Sequence, residues 1–279
     1  MDIHHKSTSE IKAEYDRAKH ILTPIFIPFQ RFITTFGREN IVKTGPNLII
    51  ANHPGIGRDI AGILNTYDRQ LYFVIAHYVF DAKEFVADHM RPVLGKFFPV
   101  LSPLAKIFSK YLAKRLKQFE MIPINKKYSG NRADLVRNIR TATNKVKEYL
   151  QDGRAVVMFQ LPLDMLKTMA RQKVKYKSGS IYHPYIPNFN STVGKIIVEL
   201  YNESGLVVPV TPISIYGAEG MNPFKRAVFN VGKPMDIQPF ADANSGSRAA
   251  IDFTDRLEHT VADLLIESGL PASPPANTK

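Results

Sequence analysis

The chain contains no cysteine. That removes a disulfide framework, thiolate metal ligation and a cysteine nucleophile from consideration, and it fits a reducing compartment. Long apolar runs are also missing: no window reaches the roughly 18 uncharged apolar residues of a membrane-crossing helix. The nearest, ILTPIFIPFQRFITTF at 21–36, is interrupted by two prolines, a glutamine and an arginine. It reads either as a segment lying in an interface or as an ordinary amphipathic helix packed on the core. The start, MDIHHKSTSEIKAEYDRAKH, lacks the apolar core of a secretory signal.

Several catalytic signatures are absent as well. There is no GxSxG, so a serine hydrolase of the nucleophile-elbow kind has no nucleophile. There is no GxxxxGK[ST], and the glycines at 55, 57 and 62 miss the GxGxxG register, which argues against phosphate-cradling nucleotide loops. None of the eight histidines stands in HExxH or a similar spacing, so no metal is expected.

What is present is charge of one sign. Lys and Arg number 37 against 25 Asp and Glu, a net +12 with a pI near 9.7, and such a field attracts polyanions or anionic lipid surfaces. No nucleic-acid recognition motif accompanies it, so nucleic acid is not an expected partner. With 279 residues and 44% hydrophobic composition, the chain can bury one large core.

Residues 1–38 read as a helical, membrane-associating appendage: Ser7-Thr8-Ser9-Glu10 opens like a capping box before a helical pattern. After Gly37, short β-branched and aromatic runs alternate with helical stretches. Strands are expected at NLIIA (47–51), LYFVIA (71–76), FEMIPI (119–124), AVVMF (155–159), VVPVTPISI (207–215) and RAVFNV (226–231). Helices are expected at 133–151, with Leu135, Ile139, Val146 and Leu150 on one face, and at 192–203 and 248–268, each followed by glycine. This alternation predicts an α/β domain over 39–270 with a mostly parallel sheet flanked by helices, then a proline-rich flexible tail, 271–279.

In 86–117, basic, aromatic and aliphatic residues interleave, with Lys106, Lys110 and Lys114 at helical spacing. One reading is a membrane-surface helix whose lysines sit among headgroups while Phe97, Phe98, Leu104 and Phe108 dip below them; the other is a solvated basic face over a core face.

The stretch LIIANHPGIGRDIAGIL (48–64) places His53 and Asp59 directly after a strand, where parallel sheets carry their ligand sites. A histidine followed by a nearby carboxylate has the parts of a general base and its orienter. Alternatively, it is a Pro-Gly turn into a helix whose first turn Asp59 stabilises through the macrodipole.

These residues resemble the glycerolipid acyltransferases of the PlsC/GPAT type, marked by NHxxxxD after a strand; the match here is Asn52-His53 with Asp59. FEMIPINKK (119–127) resembles the family's second block, with Asn125-Lys126 where an Asp-Arg pair is usual. AVVMFQLP (155–162) falls where the third block, IFPEGTR, belongs, VVPVTPISIYG (207–217) resembles the fourth, and FNVGKP (229–234) resembles the closing strand. Order and spacing agree over roughly residues 45–235.

There are departures. Asp59 follows His53 by six positions instead of five, a residue that Gly55 and Gly57 can absorb, and Arg58 stands where the family aspartate would be. Gln160-Leu161-Pro162 replaces Pro-Glu-Gly, so the family glutamate is missing, with Asp164 the nearest carboxylate, and the basic stretch after 165 is longer than usual.

The resemblance implies an O-acyltransferase that moves an acyl group from acyl-CoA or acyl-carrier protein to a hydroxyl of a lysophospholipid or related polar lipid. His53 would be the base and Asp59 its orienter. Asn52, Gly55, Gly57, Arg58, Asn125, Lys126, Gln160, Pro162 and Asp164 would contact substrate, with backbone N–H groups of the 54–57 turn for the oxyanion. It implies no bound cofactor or metal, and a peripheral or monotopic place on the cytoplasmic face of a membrane, against anionic lipids. The alternative is a non-catalytic lipid-binding protein on the same fold.

Overall fold

The computed structural model describes residues 13, 15–16, 32–54, 58–76, 83, 86, 91, 95–118, 120–124, 132–160, 182, 186, 188–218, 226–244 and 246–269. In chain order the elements are β1 (Ile33–Phe36), β2 (Asn47–Asn52), α1 (Arg58–Thr66), β3 (Leu71–Ala76), α2 (Phe98–Gln118), β4 (Ile122–Ile124), α3 (Arg132–Gln151), β5 (Ala155–Gln160), α4 (Thr192–Ser204), β6 (Val210–Tyr216), β7 (Ala227–Val231), α5 (Gln238–Ala243) and α6 (Ser247–Glu267).

The seven strands form one sheet in the order β1-β7-β6-β2-β5-β3-β4. Neighbours are parallel throughout except β6 and β7, which are antiparallel, so β1 and β7 run against the other five. The expected α/β architecture with a mostly parallel sheet is what the chain adopts.

All six residues of β2 are buried, which explains its unbroken apolar texture: a strand covered on both faces has no solvent side to alternate with. Leu48 and Ile50 point into a core shared with Val146 of α3, Ile196 of α4 and Phe253 and Leu257 of α6. Ile49 and Ala51 point the other way, toward Ile63 of α1, Tyr67, Phe73 and Phe229. On that second face, α1 lies close against β7. A Cβ on Gly62 would come within 2.0 Å of Phe229 Cζ, so glycine is required there by the approach of the ring.

Two expectations need correction. The stretch before residue 39 is not an appendage throughout: Ile33–Phe36 is a strand paired in parallel with β7, and Tyr15, 2% exposed, packs in the core of the α1 face. Its Ile-Thr-Thr-Phe sequence is β-branched and aromatic, and pairing at the sheet edge overrides the helical reading.

The strand expected at 119–124 begins only at Ile122, because Glu120 turns the chain with φ 50°. The carboxylate of Glu120 pairs with Arg154 at 3.3 Å. The Arg154 guanidinium in turn lies 4.5 Å over the Tyr149 ring. Burial, with that carboxylate nearby, pushes the Tyr149 phenol up to about 12.

The helix expected at 133–151 forms as α3, and it packs through its C-terminal half, Ala142, Val146, Tyr149 and Leu150, while Ile139 stays 38% exposed. The strand at the sheet edge it lies along, β4, is three residues long. Residues 271–279 and most of 1–31 lie outside the described residues.

Candidate active site

The centre of the sheet opens at the carboxyl end of β2. Toward β5 the register holds to the last residue, Asn52 opposite Gln160. Toward β6 it stops at Ala51 opposite Ile213. Beyond that point the Asn52 side chain stands in for the missing ladder: Nδ2 donates to the Ile215 carbonyl at 2.9 Å, and Oδ1 accepts from the Ile215 N–H at 2.7 Å. Both polar ends of this buried amide are therefore spent on backbone, and Asn52 is a brace between strands, not the substrate contact expected from its motif.

His53 follows where the chain leaves the sheet. Its Nδ1 meets Oδ2 of Asp59, the imidazole 16% exposed and the carboxylate fully buried. Asp59 lies in the first turn of α1 and also accepts the Ile60 N–H on Oδ1 at 2.9 Å. A helix N-terminus favours a carboxylate there, so one aspartate serves the helix and the histidine together. With Nδ1 engaged, Nε2 is the nitrogen left for proton transfer.

The imidazole is also held from its face. It stacks on Phe159, ring centroids 4.5 Å apart and planes 26° from parallel, and Phe159 stacks in turn on Phe73 at 6.4 Å. Neither phenylalanine was singled out from the sequence. The signal lay in the register: Ala51 pairs with Phe159 and Phe73 pairs with Val157, so His53, Phe159 and Phe73 share one face by the period of two.

Arg58, expected to meet an anionic headgroup, is 1% exposed and donates Nη1 to the Gly217 carbonyl at 3.0 Å. It ties the start of α1 to the turn after β6. Gly217 holds φ 75°, and a Cβ there would meet the Arg226 carbonyl oxygen at 2.2 Å.

Gln160 is likewise buried and inward-turned, its Oε1 accepting the Asn190 N–H at 3.1 Å. It anchors the far end of the long connection between β5 and α4. Glu258 of α6, not foreseen from sequence, accepts the Phe189 N–H at 2.5 Å beside it. Gly55, Gly57, Asn125, Lys126, Pro162 and Asp164 lie outside the described residues. Among the described residues no group of three His, Cys, Asp or Glu side chains is placed to hold a metal ion.

No protein-family model matches the chain. No protein of curated function matches its sequence. Among solved structures, the crystal structure of the 1-acyl-sn-glycerophosphate acyltransferase PlsC from Thermotoga maritima is similar to it, with a TM-score of 0.54 at 14% identity, covering 94% of this chain and 84% of that one. At that identity the likeness establishes a PlsC-like fold.

Proposed function

We propose that the protein is an O-acyltransferase that moves an acyl group from a thioester, acyl-CoA or acyl-carrier protein, to a hydroxyl of a lysophospholipid or related polar lipid. The observation that carries this reading is the His53–Asp59 pair at the carboxyl end of the central strand, within a fold like that of a lysophosphatidate acyltransferase.

In the proposed reaction, His53 Nε2 accepts the proton of the acceptor hydroxyl as its oxygen bonds to the thioester carbonyl carbon. The buried Asp59 carboxylate fixes the tautomer and stabilises the imidazolium. The tetrahedral intermediate collapses with cleavage of the C–S bond, and the departing sulfur takes the proton back from His53, leaving an ester and a free thiol. General-base assistance of this kind contributes about 10²–10⁴ in rate. Oxyanion donors are assigned to backbone N–H groups of residues 55–57, and Lys126 to an acceptor phosphate. Lysine in place of arginine forgoes a bidentate grip, so tolerance for headgroup geometry is expected.

The acceptor is lipid, so the work takes place at a membrane surface. No helix among the described residues is long and apolar enough to cross one; a peripheral or monotopic place on the cytoplasmic face is part of the proposal.

The test is to incubate the purified protein with long-chain acyl-CoA and a panel of lysolipids and to follow free thiol. Since the chain has no cysteine, it contributes no thiol of its own. Acceptor-dependent thiol release that vanishes in His53→Ala supports the enzyme. Lipid binding with no release by the wild type leaves the non-catalytic lipid-binding reading instead.

A further inference from the structure

Among the described side chains of helix α2, four sizeable apolar ones turn outward. Val100, Leu104, Ile107 and Tyr111 are 78, 64, 66 and 37% exposed, whereas Ala105, Ser109 and Ala113 are buried. At 3.6 residues per turn the four exposed residues fall within an arc of about 60°, and the three small ones lie opposite. Phe98, expected from the sequence to face outward, is partly buried and lies beneath the Arg91 guanidinium. Phe97 and Phe108 have side chains outside the described set.

Charge follows the same stripe. Lys106, Lys110 and Lys114 are exposed on one flank of it, and Lys96 is exposed in the turn before the helix. Residues 91–118 hold seven Lys and Arg and no Asp or Glu. A second copy of the chain would bring lysine against lysine on this face. An anionic lipid surface instead accepts apolar side chains between headgroups and pairs its charge with the lysines.

We propose that α2 is the membrane-docking element, lying in the interface of an anionic bilayer with Val100, Leu104, Ile107 and Tyr111 inserted and Lys106, Lys110 and Lys114 among the headgroups. The helix lies in the connection between β3 and β4, which run parallel. The docking surface rests on exposure and charge alone and is independent of the proposed reaction.

Full-length wild type, Leu104→Asp/Ile107→Asp and Lys106→Gln/Lys110→Gln/Lys114→Gln would be floated with vesicles of phosphatidylcholine alone and of phosphatidylcholine with phosphatidylglycerol. Circular dichroism would verify folding, which exposed positions should not disturb. Wild type is expected to float with the anionic vesicles in a salt-sensitive manner. The aspartate pair should reduce partition roughly tenfold or more, and the glutamine triple should abolish the preference for anionic lipid.

Wild-type flotation by both folded variants would overturn the proposal. So would a concentration-dependent dimer lost in the aspartate pair while vesicle binding persists, since the stripe would then belong to a second copy. Acyl transfer to a short-chain, monomeric lysolipid separates the two readings. If stripe-dependent docking occurs without transfer, the proposed reaction fails and the docking stands; if transfer occurs with partition unchanged in the variants, the reverse holds.

Discussion

His53 lies face to face with Phe159, centroids 4.5 Å apart, while its edge meets Asp59. The ring is thus oriented in two directions by residues from two elements, β5 and α1. An aromatic face also attracts the imidazolium that forms when Nε2 takes a proton, an effect of about 0.5–2 kcal/mol. Phe159→Leu is therefore expected to lower kcat by about 2- to 30-fold with little change in KM. Steady-state kinetics on a soluble lysolipid checks this. An unchanged kcat would reduce Phe159 to ordinary packing.

Removing the base is expected to cost far more. His53→Ala should lower turnover by about 10²–10⁴, and Asp59→Asn, which keeps the shape and loses the charge, should also lower kcat. Vesicle flotation and far-UV circular dichroism of His53→Ala should match wild type, while its thermal unfolding should come at a lower temperature because the buried Asp59 carboxylate loses its partner. Thiol release persisting at the wild-type rate in His53→Ala would remove the proposed base.

Asn52 is predicted to matter for stability first. Asn52→Ala leaves the N–H and carbonyl of Ile215 without their partner at a buried position, at about 1–3 kcal/mol for each group. Urea denaturation should show a loss of about 2–6 kcal/mol. Full stability with a raised KM would return Asn52 to the role of substrate contact.

Alkaline pH should loosen the fold through the tyrosines. Tyr149 titrates at about 12 in the folded chain, against about 10 when unfolded. A group whose folded value is raised gives stability that is complete below the unfolded value and lost as pH climbs through the folded one. Stability should fall from pH 10 toward 12, and Tyr149→Phe should flatten that fall. Denaturant titrations at successive pH values, with phenolate absorbance followed alongside, measure both.

The strands of the central sheet were legible because burial on both faces leaves runs such as Leu48–Ala51 without polar interruption. His53 and Asp59 were legible as a pair because both sit at the ends of elements whose limits the sequence marks. Less could be read where a residue's role depends on register. Asn52, Arg58 and Gln160 look like substrate ligands in one dimension. Each instead bonds to a partner 30 to 163 positions away: Gly217 for Arg58, Ile215 for Asn52 and Asn190 for Gln160. The strand at Ile33–Phe36 escaped for the same reason, since its partner β7 lies near the other end of the chain.

Gly62 and Phe229 supply a further prediction. Gly62→Ala forces a methyl into the ring and should destabilise by about 1–3 kcal/mol, with partial recovery in Gly62→Ala/Phe229→Leu because the two positions share one space. Additive losses in the double variant, read by thermal and urea unfolding, would mean that the contact is not the cause.

That contact reaches further than packing. The acid of the pair rides on α1, and α1 is seated by an aromatic side chain from β7, which itself runs against the central strands. The aim of Asp59 is therefore set in part by a side chain two strands away from β2 in the sheet. Libraries intended to retune the reaction without altering the pocket should begin at position 229.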